Sequence, residues 1–228
     1  MTNRAEAVIN LSAIKSNVAT LKAKAGVDLM AVVKADAYGH GLVPVAKVAL
    51  EGGATWLGVA LLEEAIALRT AGITAPILAW LVPPGSDFQS AIDKDIDLAV
   101  SSIKALDEIR LLKGSKRPRI HLEVDTGMTR GGFLSEWSEI DRDHLQGVEI
   151  VGIFSHFARA DEPGQAQNLE QINRFKKMVA NLDSFGFTNL IRHLSNSAAT
   201  LVDHSSAFDM VRAGIAMYGL TPDLNHLG

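Results

Sequence analysis

The stretch Leu29-Met30-Ala31-Val32-Val33-Lys34 contains five consecutive apolar residues followed by a lysine. A run that is apolar at every position, and not at alternate positions, is typical of a parallel strand whose two faces are both buried. The sequence therefore predicts a parallel strand over residues 29–34, with the lysine at its carboxyl end.

Seven further β-rich segments follow, and they alternate with helix-like segments. The predicted strands after the first are Trp56–Leu61, Pro76–Leu81, Asp97–Ser101, Arg119–Val124, Ile150–His156, Leu190–Leu194 and Asp209–Arg212. The predicted helices are Ser12–Lys24, Leu42–Glu51, Leu62–Ala71, Phe88–Lys94, Ile103–Lys113 and Gln165–Phe185. Eight strands alternating with helices in 228 residues predict an α/β protein with a (β/α)8, TIM-like barrel. An open doubly wound sheet is the alternative, and the strand count favours the closed barrel.

Composition excludes several classes of protein. The net charge of -4, from 22 basic and 26 acidic residues, provides no basic surface for nucleic acid. Cysteine is absent, which excludes disulfides, cysteine-ligated zinc and a cysteine nucleophile, and the histidines lack close ligand spacing, so no metal is predicted. The N-terminus lacks the apolar core of a secretory signal, and no apolar run is long enough to span a membrane. A cytoplasmic protein without a membrane partner is expected.

The whole chain, residues 1–228, is expected to form one barrel domain. Residues 1–10 contain an additional strand, read over Ala5–Asn10, which precedes the barrel and does not belong to its eight strands. We expect this strand to pair with a C-terminal β-domain that is absent from the chain.

Reactive residues fall after the predicted strands. They are Lys34, Glu123, Asp125, Arg130, His156, His193, Asn196, Ser197, Arg212 and Gly214. Chemistry in α/β barrels gathers at the carboxyl ends of the strands, so residues far apart in sequence would converge on one rim. This convergence predicts an enzyme.

Lys34 is the residue that most clearly suggests a particular chemistry. An amine at the end of a buried strand would be partly desolvated, which lowers the pKa of a lysine and frees its lone pair, as a Schiff-base lysine requires. A lysine at a strand end can equally extend into solvent. Position alone favours this second interpretation.

The residues around Lys34 change that balance. Lys34-Ala35-Asp36-Ala37-Tyr38-Gly39-His40-Gly41 resembles the lysine-bearing signature of alanine racemases, which are pyridoxal-phosphate enzymes built on a barrel. Four further matches follow in the family's order: Asp125-Thr126-Gly127-Met128-Thr129-Arg130, Ser155-His156-Phe157, Asn196-Ser197-Ala198-Ala199 and Arg212-Ala213-Gly214-Ile215-Ala216-Met217-Tyr218-Gly219. The resemblance covers essentially the whole chain, and it implies the N-terminal, cofactor-binding barrel of an alanine racemase.

The resemblance implies a role for each residue of the cofactor site. Lys34 would hold pyridoxal 5'-phosphate as a Schiff base and, once released by the substrate, act as one of two catalytic bases. The residues that would bind the phosphate are Tyr38, Ser197, and Gly214 and Ile215 through their backbone N–H groups, and Asn196 belongs to the same cofactor-binding set. A phosphate site formed by the loops after strands seven and eight is a recurrent barrel feature.

Three more basic residues receive roles from the resemblance. Arg212 would face the pyridine nitrogen of the cofactor and keep it unprotonated, because two adjacent cations are costly. His193 would support Arg212, and the resemblance also places it among the residues that bind the cofactor. His156, counted as both catalytic and cofactor-binding, would pack against the cofactor ring and link to the second catalytic base.

Arg130 would orient the substrate carboxylate and the phenolic oxygen of the cofactor, and it is counted as both catalytic and substrate-binding. In many relatives a lysine stands at the position of Glu123, and its carbamate supplies the negative group that positions the arginine. We expect Glu123 to provide this charge directly, without modification.

The resemblance also implies what lies outside the chain. The second base of alanine racemases is a tyrosine from the C-terminal β-domain of the partner subunit, whereas Tyr38 and Tyr218 both belong to barrel motifs. The expected protein is a homodimer that interconverts L-alanine and D-alanine for peptidoglycan precursors. This chain alone would need the C-terminal domain for full activity.

Two other functions fit parts of the sequence. A non-catalytic, single-domain pyridoxal-phosphate homeostasis protein has a similar barrel and lysine, but the Tyr38–Gly41 segment and Arg130 favour the racemase. A barrel aldolase could use Lys34 without a cofactor, although its lysine usually lies on a later strand and Arg212 would then be unexplained.

Overall fold

The structure is a computed structural model that describes residues 5–222, apart from the side chain of His204. Its strands are β1 (Asp28–Val32), β2 (Trp56–Val59), β3 (Ile77–Ala79), β4 (Asp97–Val100), β5 (Arg119–Glu123), β6 (Glu149–Phe154), β7 (Ile191–His193) and β8 (Met210–Ala213). Its helices are α1 (Leu11–Ala25), α2 (Lys34–Gly39), α3 (Leu42–Glu51), α4 (Leu62–Thr70), α5 (Phe88–Asp93), α6 (Ile103–Arg110), α7 (Ala166–Ser184) and α8 (Ser197–Val202). Three 3-10 turns complete the regular structure, at Ser135–Glu139, His204–Ser206 and Ile215–Tyr218.

The eight strands are parallel and follow one another in chain order, with β8 returning to pair with β1. Between β7 and β8 there is no continuous ladder, but Asp209 N donates to Arg192 O at 3.0 Å and Arg212 N donates to Ser195 O at 2.9 Å. The sheet is therefore a nearly closed barrel, which confirms the predicted (β/α)8 fold and excludes the open doubly wound sheet.

Strand side chains divide between two apolar cores. The large core lies between the barrel and its helices and includes Leu29 and Ala31 of β1. The smaller core includes Met30 of the same strand, together with Trp56, Leu78, Ala99, Phe154 and Met210. Successive side chains of a strand point to opposite faces, so a strand with an apolar neighbour on both faces needs apolar residues at every position. This is the physical reason for the continuous run at 29–33.

The predicted strand boundaries need small corrections at their carboxyl ends. Lys34 and His156 were expected to end strands, but β1 stops at Val32 and β6 at Phe154. Both side chains therefore lie just beyond the strands, Lys34 at the start of α2 and His156 in the loop after β6.

The N-terminal strand is not formed within this chain. Residues 5–10 have no regular secondary structure, and residues 1–4 lie outside the described part. A strand requires a hydrogen-bonded neighbour, and no described segment pairs with residues 5–10. Pairing with a further domain stays a prediction.

Among the helices of residues 5–222, none is long and apolar enough to cross a membrane.

Candidate active site

A cavity of about 430 Å³ lies at the carboxyl ends of the strands. It is lined by ten residues singled out in the sequence: Lys34, Tyr38, Glu123, Arg130, His156, Asn196, Ser197, Arg212, Gly214 and Ile215. Six further residues, which the sequence did not predict as site residues, complete the lining: Val32, Trp80, Phe154, Asp161, Ala198 and Pro222. The volume falls in the range of small-molecule and cofactor sites.

Lys34 enters the cavity from α2, a short turn of left-handed helix. Ala35, Asp36, Ala37 and Tyr38 have φ angles of 52°, 52°, 54° and 55°. Left-handed geometry costs roughly 1–2 kcal/mol per L-residue, so four such residues in a row must be held by their surroundings. The Lys34 Nζ atom lies 5.9 Å from the centroid of the Tyr38 ring, so this turn brings both side chains to the same wall.

Two acidic side chains hold the left-handed turn. Glu64 Oε1 accepts from Ala35 N at 2.5 Å, and Asp36 Oδ1 accepts from Leu42 N at 2.7 Å. Charged acceptors make stronger hydrogen bonds than neutral ones. These two carboxylates help to maintain a conformation that the local sequence alone disfavours.

Gly214 forms a narrow cradle with Tyr38 and Ser197. Its N–H donates to Ser197 Oγ at 2.8 Å, and Ala216 N donates to the same oxygen at 3.3 Å. A Cβ atom at position 214 would lie 2.9 Å from the Tyr38 hydroxyl, so glycine lets this hydroxyl approach the backbone and a larger residue would displace it. Ile215 begins a 3-10 turn, and its own N–H, which has no acceptor within the turn, can bind an anion.

Asn196 has a second task beside its place in the cavity wall. Its Oδ1 accepts from Ala199 N at 3.1 Å, which makes it the N-terminal cap of α8. Asn196 therefore fixes the turn from which Ser197 enters the cavity.

Arg212 is buried, and the four N–H bonds of its Nη1 and Nη2 atoms are shared among five acceptor atoms. Nη1 donates to His193 Nδ1 at 3.1 Å and His193 O at 2.8 Å; Nη2 donates to Ser155 O at 2.6 Å, and to His156 Nδ1 and Leu194 O at 3.3 Å each. Burial lowers the pKa of Arg212 to about 10, so the guanidinium remains charged at neutral pH. The arginine is thus a cation held in one orientation.

The contacts of Arg212 assign the tautomers of two histidines. An arginine side chain has no acceptor, so the Nδ1 atoms of His156 and His193 must both accept, and each neutral ring carries its proton on Nε2. Burial and the nearby charge of Arg212 lower the pKa of His156 to about 3 and hold the pKa of His193 well below its usual range. Both rings are therefore neutral at neutral pH.

His193 requires a correction. It is fully buried, and the lining of the cavity does not include it. Its predicted support of Arg212 fits the geometry. Direct contact with a cofactor does not, because Arg212 forms the cavity wall here and His193 contacts Arg212 from behind that wall.

Glu123 and Arg130 line the same cavity without forming a direct ion pair. Burial raises the pKa of Glu123, and the positive charges of Arg212 and Arg130 act in the opposite direction. Glu123 is thus a partly buried carboxyl that interacts with both arginines through space.

The loop that carries Arg130 is organised by Asp125. Its Oδ1 accepts from the backbone N–H groups of Gly127, Met128 and Thr129 at 2.8, 3.0 and 3.1 Å. Asp125 therefore shapes the loop and does not line the cavity.

Gln171, a fully buried residue of α7, contributes to the site but was not predicted from the sequence. It donates to Thr126 Oγ1 at 3.1 Å and His156 O at 2.9 Å, and accepts from Ala158 N at 2.9 Å, so it ties together the loops after β5 and β6. A signal was available, since Gln171 is a polar residue in line with the apolar stripe of α7.

Within residues 5–222, no three or more His, Asp or Glu side chains form a group that could hold a metal ion. The fold and the cavity define a class: an α/β barrel with a lysine, an anion cradle and a buried arginine at the carboxyl ends of its strands. Residues 9–222 match the family model described as "Alanine racemase, N-terminal domain". The chain belongs to this family.

Alanine racemases are also found among similar sequences. The chain is 47% identical over 231 residues to the alanine racemase of Thermobifida fusca, which covers 97% of this chain and 62% of that protein. It is 43% identical over 227 residues to that of Mycobacterium leprae, with 96% of this chain and 58% of the relative covered.

Solved structures give the same result. The alanine racemase of D-cycloserine-producing Streptomyces lavendulae has a TM-score of 0.91 and 43% identity, over 94% of this chain and 59% of that one. The alanine racemase of Bacillus anthracis with bound L-Ala-P has a TM-score of 0.84 and 41% identity, over 95% and 58%. The chain spans 62%, 59% and 61% of three of the curated relatives it matches.

Proposed function

We propose that this chain is the cofactor-binding domain of a pyridoxal-phosphate-dependent alanine racemase, an isomerase that supplies D-alanine for peptidoglycan precursors. The observation that carries the proposal is the convergence of Lys34, the Gly214 cradle and Arg212 on one cavity. Each has a counterpart in the cofactor: an amine for its aldehyde, N–H groups for its phosphate and a cation for its ring nitrogen.

The cavity fits pyridoxal phosphate at both ends. The missing side chain of Gly214 leaves a cradle beside Tyr38 and Ser197, where the hydroxyl groups of these two residues and the N–H of Ile215 can bind a phosphate dianion. Lys34 at the wall offers the amine for covalent attachment. When bound, the cofactor supplies an electron-accepting ring that makes the α-hydrogen of an amino acid removable.

Arg212 would determine the protonation state of the ring nitrogen of the cofactor. Because its charge is buried and held in place by hydrogen bonds, a second proton on a neighbouring ring nitrogen would be costly. An unprotonated ring accepts electrons less strongly, which limits side reactions such as transamination.

Arg130 would bind the carboxylate of the substrate, with Glu123 as the negative group that balances the two arginines. Lys34, once free, would hold or remove a proton on one face of the α-carbon. His156, neutral with its proton on Nε2, would link to a base on the other face, which we assign to a tyrosine of the partner subunit in a homodimer.

The attachment can be tested directly. Purified protein mixed with pyridoxal phosphate is reduced with borohydride, digested and analysed by mass spectrometry. We expect the adduct at Lys34, and Lys34→Ala should abolish it, whereas Lys47→Ala, a change of a lysine outside the cavity, should not. Reduced wild-type protein that carries no adduct at Lys34 would overturn the proposal.

Family membership and 42–47% identity to alanine racemases support the racemase over the homeostasis protein and the aldolase. A full-length protein that binds the cofactor but leaves alanine unconverted would favour homeostasis. Location in the cytoplasm stays a prediction.

A further inference from the structure

A line of buried polar side chains continues from Arg212 through the barrel interior. Behind Arg212 lies His193, whose Nε2 atom is 2.9 Å from His121 Nδ1. His121 Nε2 is in turn 3.4 Å from Asp97 Oδ2. Both histidines are fully buried and Asp97 is 2% exposed. Since Asp97 is the first residue of β4, the line crosses from the cavity end of the barrel to the opposite end.

The two ends of this line determine the direction of every hydrogen bond in it. Arg212 can only donate, so His193 accepts at Nδ1 and carries its proton on Nε2. That proton is donated to His121 Nδ1, which leaves His121 with its own proton on Nε2, facing Asp97. An ionised carboxylate can only accept, so all donors point from Arg212 towards Asp97.

Asp97 is the available acceptor for His121. The His121 Nε2 atom is buried and has no well-aligned hydrogen-bond partner among the described residues, and the Asp97 carboxylate lies next to it. A buried N–H without an acceptor is costly, which gives this contact a strong reason to exist.

Asp97 is kept ionised by its other neighbours. Burial raises its pKa, but hydrogen bonds from His121 and Arg119 outweigh this effect and hold the pKa below its usual value. Arg119 Nε and Nη2 contact the two carboxylate oxygens at 2.9 and 3.2 Å, and Arg119 Nη1 also binds Glu149 Oε1 at 2.7 Å. The negative charge at the far end of the line is therefore permanent at neutral pH.

We propose that Asp97 is a remote positioning residue of the active site, acting through His121 and His193 to fix the orientation of Arg212. Aligned hydrogen bonds in a low-dielectric interior polarise one another, so the carboxylate strengthens the acceptor that His193 presents to the guanidinium. The catalytic meaning of this role rests on the proposed function, but the tautomers themselves can be measured without cofactor.

The experiment is ¹⁵N NMR of protein labelled at its histidines, in which the two ring nitrogens report which one carries the proton. In the wild type, His121 and His193 should both be neutral with the proton on Nε2. His121→Phe, which keeps an aromatic ring against Trp56, identifies the His121 signals and deprives His193 of its acceptor.

Asp97→Asn should lower the ratio of the Nε2–H to the Nδ1–H tautomer of His193 about fivefold or more. The reason is that the buried hydrogen bond between His121 Nε2 and the side chain at position 97 would no longer favour a single direction. The control is Glu149→Gln, which removes the other carboxylate on Arg119 but touches neither histidine, and should leave the ratio unchanged. A general loss of stability would affect both variants and would not select one tautomer.

A wild-type His121 or His193 with its proton on Nδ1, or a doubly protonated ring, would overturn the proposal even if both variants failed to fold. So would a folded Asp97→Asn protein whose ratio equals that of Glu149→Gln. Absence of an adduct at Lys34 would instead overturn the proposed function, but it would not affect the assignment of the histidine tautomers.

Discussion

At the scale of single residues, Glu123 shows how charge is balanced in the cavity. It lies with Arg130 and Arg212 around one space, yet burial works against its ionised form. We propose that a carboxyl in this position balances the two arginines without contacting Arg130 directly. A purely electrostatic role of this kind predicts that charge matters more than shape at position 123.

In a full-length context, Glu123→Gln is expected to lower kcat/KM for alanine roughly tenfold, about 1.4 kcal/mol of lost transition-state stabilisation, because Arg130 loses its counter-charge. Steady-state kinetics in both directions measure this. Glu123→Lys should be poorly active until bicarbonate restores a negative carbamate. Normal turnover by Glu123→Gln would show that the charge is dispensable.

His156 makes the fold sensitive to acid. Its pKa is about 3 in the folded protein and 6.5 in the unfolded chain, so the unfolded chain binds an extra proton as the pH falls through this window. The stability is fully present above pH 6.5 and is lost progressively towards pH 3. His156→Gln should take up about one proton fewer on unfolding, measured as a shallower pH dependence of the urea-unfolding free energy between these values. An unchanged slope would mean that His156 is protonated in the folded protein.

At the scale of elements, α2 stores backbone strain beside Lys34. Its four left-handed residues are maintained by Glu64 and Asp36 and by the positions of β1 and α3. The turn is the reason that Lys34 and Tyr38 share a wall. Strain of this kind concentrates at functional sites, where tertiary contacts over-determine the backbone.

Ala35→Gly should raise the free energy of unfolding by up to about 1 kcal/mol, because glycine adopts positive φ without steric cost. Ala67→Gly, at an exposed position of the right-handed helix α4, is the matched control and should lower it by about 0.5–1 kcal/mol. Thermal or urea unfolding measures both. Equal destabilisation by the two changes would show that the turn at Ala35 is not left-handed in solution.

At the scale of the whole molecule, the barrel gathers the polar residues of the cavity on one rim but offers few candidates for the second base that the proposed racemase needs. Tyr218 donates to Val32 O at 3.1 Å, and burial raises its pKa, so it is a packing residue. Tyr38 lies at the cradle of Gly214. Tyr38 shares a wall with Lys34 and Tyr218 is hydrogen-bonded to the backbone, so neither tyrosine is placed for proton transfer on the face opposite Lys34.

We therefore expect the 228-residue chain, loaded with pyridoxal phosphate, to racemise alanine at least about a thousandfold more slowly than a protein of the relatives' full length. Chiral chromatography of the product from L-alanine measures this, with borohydride trapping at Lys34 as the control for cofactor binding. Efficient conversion by the isolated chain would show that the barrel contains both bases.

The sequence by itself determined the barrel and the rim. Strands buried on both faces must be apolar at every position, so runs such as 29–33 could be recognised locally, and all eight strands formed close to their predicted bounds. The polar residues after those strands could be placed on one rim because a parallel barrel aligns its carboxyl ends.

Only the tertiary structure decided how these residues act. The left-handed turn after β1 depends on the carboxylate of Glu64 in α4, the tautomers of His156 and His193 depend on Arg212, and the link to Asp97 joins β4, β5, β7 and β8. Contacts of this kind join residues separated by tens of positions, and local propensity or periodicity carries no information about them.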